Sequence, residues 1–195
     1  MSTPKLPIIL ASSSRWRSEA LHRLGVEFIC KSPTIDEQSH PRESCQALAQ
    51  RLAGEKMLEI AVKNRNHVVI GSDQVACFNG APVAKPTTLD AVREQLRRQS
   101  GHSLTFYTAL CVGRGSQISE YCDITRVTFK KLSDEQIDCY LSRENPIGCA
   151  GGFQIEGFGV ALFEQINSTD PSALVGLPLL KLASLLTEFG VDPLG

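Results

Sequence analysis

At 195 residues, 42% hydrophobic and 21% charged, the chain has an ordinary globular composition and is long enough to build a core as one domain, residues 1–195, in two lobes. A formal net charge of -1, from 20 basic and 21 acidic residues, argues against the polycationic field of a duplex nucleic-acid binder. Its apolar runs fall well short of the roughly 18 residues that suggest a membrane span, and the opening MSTPKLPIILASSS has too short an apolar stretch for a secretory signal.

Lys5 to Ala11 reads as a strand, followed by a helix capped by Ser13 or Ser14 and stopped by Gly25. VEFICKSP is a second strand, and TIDEQSHPRES a polar loop. From Glu43 to Val62, the residues Cys45, Leu48, Ala49, Leu52, Ala53 and Ile60 recur at helical spacing. HVVI is a short buried strand that breaks at Gly71, and Asn79-Gly80 between VACF and APVA predicts a hairpin. Thr87 or Thr88 caps a helix running to about Gln99 and ended by Gly101. SLTFYTALCV and ISEYCDITRVTFKK form an antiparallel pair about GRGSQ, and Ser133 with Gln136 makes a capping box. GCAGGFQIEGFG leads into the strand VALFEQI, and a last helix follows GLP and ends at Gly190. This order predicts a three-layer α/β fold, a mixed central β-sheet flanked by helices. Ligand sites in such sheets lie beyond the carboxyl ends of the strands, where SSSRWR and GSDQ fall.

The serine cluster opens a helix, where free N–H groups and the helix dipole favour anions. Serine hydroxyls and an arginine fork would complete a phosphate cradle there; the bland alternative is a serine cap with solvated arginines. Lys56 fills a gap in the apolar stripe of its helix, so it either snorkels to the surface or meets a negative charge. Asp36 and Glu37 lie in a loop, and Asp73 directly follows an apolar strand, at the cleft floor. Two oxygen ligands plus substrate phosphates commonly hold Mg²⁺, and Lys85 adds a cation. These acids and cations suit metal-assisted attack of water on a polyphosphate.

The seven cysteines are odd in number and contain no C-x-x-C pair, which suits packed thiols in a reducing cytoplasm. A nucleophilic Cys149 is the alternative to a packed one.

LASSSRWRSEAL, Asp36-Glu37, RLAGEK, GSDQV, KP, CAGGFQIEG and VGLPL together resemble the Maf family of nucleoside triphosphate pyrophosphatases over nearly the whole chain. The resemblance implies an architecture similar to the inosine triphosphatases, two lobes around a cleft. It also implies hydrolysis between the α and β phosphates with a divalent metal, Mg²⁺ or Mn²⁺, and suggests a homodimer. By position, the family's site residues correspond to Ser12, Arg17, Glu37, Lys56, Asp73 as proton acceptor, and Lys85, with Glu37 and Asp73 as the metal carboxylates. Many members have proline where this chain has Arg15, which leaves open whether Arg15 or Arg17 meets phosphate; register favours Arg17. Whether Asp73 or the metal activates the water also stays open.

Three positions in the family set the base, and here they are Trp16, Gln74 and Glu156. This combination, with TFYT at Thr105 to Thr108, resembles the 7-methyl-GTP pyrophosphatase branch. The chemistry agrees: N7-methylation makes guanine cationic, an indole face attracts a stacked cation, and a carboxylate accepts from guanine N1–H and the 2-amino group. Against this, Trp16, Ala20 and Leu24 share one helical face, so Trp16 is alternatively core. The rival functions are the same chemistry on GTP, UTP or dTTP, a nucleotide-binding regulator without hydrolysis, and an RNA or cap-binding module, which near-neutral charge disfavours.

Overall fold

The computed structural model describes residues 6–195, so Lys5 lies outside the described residues. The chain runs β1 (Ile8–Ala11), α1 (Arg15–His22), β2 (Phe28–Cys30), α2 (Cys45–Ala61), β3 (Val68–Phe78), β4 (Ala81–Pro82), α3 (Leu89–Gln99), β5 (Ser103–Arg114), β6 (Gln117–Phe129), α4 (Asp134–Leu141), β7 (Phe163–Asn167) and α5 (Leu179–Glu188). Serine and threonine caps start four of the five helices. Ser14, Ser44, Thr88 and Ser133 each accept a backbone N–H of the first turn, and Ser133 closes a capping box with Gln136.

The sheet is mixed, in the order β2-β1-β3-β5-β6-β7, with β4 hydrogen-bonded to β3. β1 is parallel to β2 and β3, and the remaining pairs are antiparallel. Alternation along β3 divides the layers. Val68 and Ile70 pack with α1 and α5, whereas Val69 and Val75 pack with α2. A third apolar cluster joins α3 and α4 to the far halves of β5 and β6 and to β7. β5 and β6 thus run through two lobes.

Gly71 does not break β3, as the sequence suggested; the strand continues through it to Phe78. A Cβ there would land on the Ala53 carbonyl oxygen and lie 2.8 Å from the Met57 Cβ. The glycine is therefore the point where α2 approaches the sheet. Gly71→Ala should destabilise by about 1–3 kcal/mol through overpacking, seen as a lower urea midpoint with an unchanged slope. A second difference follows from it. Asp73 is inside a strand, but β1 ends opposite Gly71 while β4 joins β3 only at Cys77. Between these points one edge of β3 lies open, and the cleft forms there.

The Asn79-Gly80 turn has φ of 50° and 81°, the left-handed pair a tight hairpin of this type needs. Val160 to Leu162, read as the start of a strand, form a 3-10 turn before β7. Cys45 and Cys77 form a disulfide, with Cα atoms 6.1 Å apart. This corrects the expectation of thiols throughout, which spacing along the chain could not reveal because 32 positions separate the two. Cys30, Cys111, Cys122, Cys139 and Cys149 are free.

Candidate functional site

α2 carries Lys56 on its inward face, and the side chain does not snorkel. It is 7% exposed, with Nζ 2.6 Å from Glu37 Oε1 and 2.6 Å from Asp73 Oδ1. Removing either partner of such a buried pair leaves a charge uncompensated, which is why these groups hold one another in place. Asp73 is 6% exposed and fixed by its strand, whereas Glu37, at 54%, stands at the mouth. Asp36 turns away from this cluster and accepts the Gln38 N–H in its own loop.

Arg51, which the sequence reading passed over, fastens that loop to α2. Its guanidinium donates to Glu43, to Glu55 and to the Gln38 carbonyl, the last at 2.8 Å. Glu43 also accepts the His40 N–H. Arg51 chiefly, then that N–H, hold the Glu43 carboxyl down at about 2. Burial alone would raise Glu37, but the Lys56 hydrogen bond and the charges of Lys56, Lys85 and Arg17 outweigh it and leave the group below its ordinary 4.5. Lys85, exposed beyond β4, and Arg17 therefore stand within electrostatic range of the acid–lysine cluster.

The turn after β1 supplies the next wall. Ser12 is 4% exposed and accepts the Ser14 N–H, and Ser14 in turn caps α1. Arg17 Nε donates to the Gly176 carbonyl at 2.9 Å and lines the cleft together with Lys85. Arg15 sits outside it, exposed and paired with Glu19 at 3.0 Å. Its guanidinium carbon lies 4.5 Å from the centroid of the Trp16 ring. Of the two arginines, only Arg17 lines the cleft.

Trp16 is half-buried and absent from every core cluster. Its helical neighbour Ala20 is in the core, but the indole lines a cleft of about 200 Å³ shared with Gln74, Glu156, Phe153 and Arg17. Burial pushes the Glu156 carboxyl up from 4.5, its own N–H opposes this, and the nearby acids Glu19 and Glu144 add to the rise. Cys149 also lines this space, and burial pushes its thiol up. That shift disfavours the thiolate a nucleophile needs.

Leu174, Val175 and Gly176 also line the cleft; of the segment 173–176, the sequence points only to Val175 and Gly176, within VGLPL. Ser72 Oγ lies 2.9 Å from the Gly176 carbonyl, and Gln74 Nε2 lies 3.0 and 3.1 Å from the carbonyls of Ala173 and Leu174. Behind it, buried Asp123 accepts from Thr125 and Thr169, and buried Asp170 accepts from Ser172 and the Leu180 N–H. One signal was available: on β5, Thr108 interrupts the inward apolar series Leu104, Phe106, Leu110, Val112.

Among the described residues no three or more His, Cys, Asp or Glu side chains form a metal-holding group. Glu37 and Asp73 are two hard carboxylates whose oxygens meet at the Lys56 ammonium. That donor set fits a Mg²⁺ or Mn²⁺ ion completed by phosphate and water rather than a full protein cage.

The chain is similar in sequence and in fold to known proteins. A family profile described as "Maf-like protein" matches residues 7–189. The chain is 44% identical over 193 residues to the 7-methyl-GTP pyrophosphatase of Bordetella pertussis (strain Tohama I), covering 98% of this chain and 97% of that one. It is 42% identical over 190 residues to the 7-methyl-GTP pyrophosphatase of Chromohalobacter salexigens, covering 96% and 98%. A solved HAM1 protein from Coxiella burnetii superposes with a TM-score of 0.56 at 17% identity, covering 94% of this chain and 99% of that one, which speaks to the fold alone.

Proposed function

The chain belongs to the Maf-like protein family, and from that premise we propose that it is a cytoplasmic nucleotide pyrophosphatase. It hydrolyses 7-methyl-GTP to 7-methyl-GMP and diphosphate, clearing that nucleotide from the pool as one domain spanning residues 1–195. The observation that carries the substrate assignment is the placement of Trp16. It stands outside the core clusters, facing a cleft whose other walls are Glu156, Gln74 and Arg17.

In this reading the methylated base, which carries a positive charge, stacks on Trp16, and Glu156 accepts from N1–H and the 2-amino group. The phosphates lie toward Ser12, Arg17 and Lys85. Asp73, oriented by Lys56, accepts a proton from the water that attacks the α-phosphorus. The Pα–O bond to the β-phosphate breaks, and Lys56, Lys85 and Arg17 offset the charge on the departing diphosphate. Held by Glu37 and Asp73, a divalent ion would neutralise polyphosphate charge and make the water more acidic. We expect neither a nucleic acid nor a membrane as a partner; separately, among the described residues no helix is long and apolar enough to cross a membrane. A homodimer is the assembly we expect.

Product analysis tests the reaction. With Mg²⁺ or Mn²⁺, 7-methyl-GTP should yield the monophosphate and pyrophosphate in equal amounts. Release of 7-methyl-GDP and orthophosphate would refute attack at the α-phosphorus.

A pH dependence follows from Glu156. Its carboxyl is raised above 4.5, so the acceptor is intact above the raised value and is lost as pH falls through it. The kcat/KM for 7-methyl-GTP should therefore drop on the acid side at a pH above 4.5, the ordinary glutamate value, and Glu156→Gln should abolish that limb. Glu37 is lowered and titrates below the same value, so it does not produce this limb.

A further inference from the structure

The amide of Gln74 has only one orientation available to it. Its nitrogen lies 3.0 Å from the Ala173 carbonyl oxygen and 3.1 Å from that of Leu174. Carbonyl oxygens only accept, so the NH₂ must face them. Turning the amide over would set Oε1 against two carbonyl oxygens. A third contact reinforces this. The Thr108 hydroxyl donates to the Ala173 carbonyl at 3.1 Å, which turns a lone pair toward Gln74 Nε2, also at 3.1 Å. Both amide hydrogens are thereby committed.

The frame behind these contacts is rigid. Thr108 is fully buried in β5, and the segment holding the two carbonyls is tied to Ser72 and Arg17 through the Gly176 carbonyl. Gln74 lines the cleft, and its Oε1 makes no hydrogen bond among the described residues. The side chain therefore offers the ligand an acceptor and no donor.

We propose that Thr108 and the Ala173 and Leu174 carbonyls hold Gln74 as an acceptor-only group that reads the exocyclic 2-amino group of the purine. This rests on the nucleotide assignment above. There Glu156 spans N1–H and one hydrogen of the 2-amino group; the second hydrogen of that group needs another acceptor, and Gln74 Oε1 supplies it. Adenine has no hydrogen on N1, and hypoxanthine has no amino group at position 2. Thr108 is a positioning residue here, since it touches Gln74 and not the base.

The test compares bases that differ only in the 2-amino group. For the wild-type protein, 7-methyl-GTP should exceed 7-methyl-ITP in kcat/KM by about 30- to 2,000-fold, because losing the 2-amino group removes both the neutral hydrogen bond to Gln74 and the charge-assisted one to Glu156. The Kd values of the unreactive products 7-methyl-GMP and 7-methyl-IMP should show the same ratio by calorimetry. Gln74→Met should lower both ratios by about 2- to 13-fold, the share of one neutral hydrogen bond, and leave the Glu156 share in place. Thr108→Val should lower them part of the way, and Thr108→Ser, which keeps the hydroxyl, should restore them. A general structural role for Thr108 would instead reduce both substrates equally. A wild-type ratio near one, or a Gln74→Met protein that keeps the wild-type ratio, overturns the proposal. A Thr108→Val protein that keeps the ratio overturns the part given to Thr108, and the Gln74 variant carries the test if that protein does not fold. Failure of the substrate reading looks different. GTP would then be turned over as well as 7-methyl-GTP, while the 2-amino ratio persisted in the GTP and ITP pair.

Discussion

Asp73→Asn is expected to lower kcat for 7-methyl-GTP by about 10²–10⁴-fold, the range for a positioned proton acceptor, while nucleotide binding stays near wild type. The amide fills the same volume and still accepts from Lys56, so the lysine keeps Glu37 and one oxygen of residue 73 as neighbours. What disappears is the negative oxygen that takes the proton and serves as one of the two metal carboxylates. Turnover is read by pyrophosphate release, and binding by calorimetry with 7-methyl-GMP. Lost turnover with retained binding marks Asp73 as catalytic and distinguishes a hydrolase from a nucleotide-binding regulator, in which the carboxylate would be dispensable. Turnover within a few-fold of wild type would move proton acceptance elsewhere. Loss of both properties would make the Glu37–Lys56–Asp73 cluster a structural element.

Trp16→Ala should remove most of the preference for 7-methyl-GTP over GTP. A cation stacked on an indole gains about 0.5–1 kcal/mol when exposed and about 2 or more when desolvated. In a half-buried cleft that corresponds to a loss of about 2- to 30-fold in the kcat/KM ratio of the two nucleotides. Trp16→Phe, which keeps a weaker π face, should fall between. Because Trp16 lies outside the core clusters, thermal stability should change little. A large fall in stability with an unchanged substrate ratio would return the indole to a packing role.

The elements were largely legible because their punctuation is local. Ser14, Thr88 and Ser133 announce helix starts, and Asn79-Gly80 a hairpin, through hydrogen bonds or dihedral angles that involve only near neighbours. Lys56 stood out for a similar reason, as a cation in an apolar helical stripe. What stayed hidden depends on strand pairing. Gly71 looks like a strand breaker until α2 is seen against it, and the interior position of Asp73 exists only because β5 pairs along the whole of β3. The Cys45–Cys77 pair and the buried acids Asp123 and Asp170 are equally non-local, since a buried aspartate satisfied by hydroxyls reads along the chain like a solvated one. Arg51 was obscured by its neighbours, because a charged residue on an amphipathic helix gives no sign of the loop it anchors.

The most direct measurement is kcat/KM for 7-methyl-GTP, GTP, UTP and dTTP, taken side by side with Mg²⁺ and then Mn²⁺. The methylated guanine should be the preferred substrate, with pyrophosphate released in step with the monophosphate. Equal or faster hydrolysis of UTP or dTTP would keep the pyrophosphatase chemistry and contradict the assignment of Trp16 and Glu156 as the recognition pair for a cationic purine.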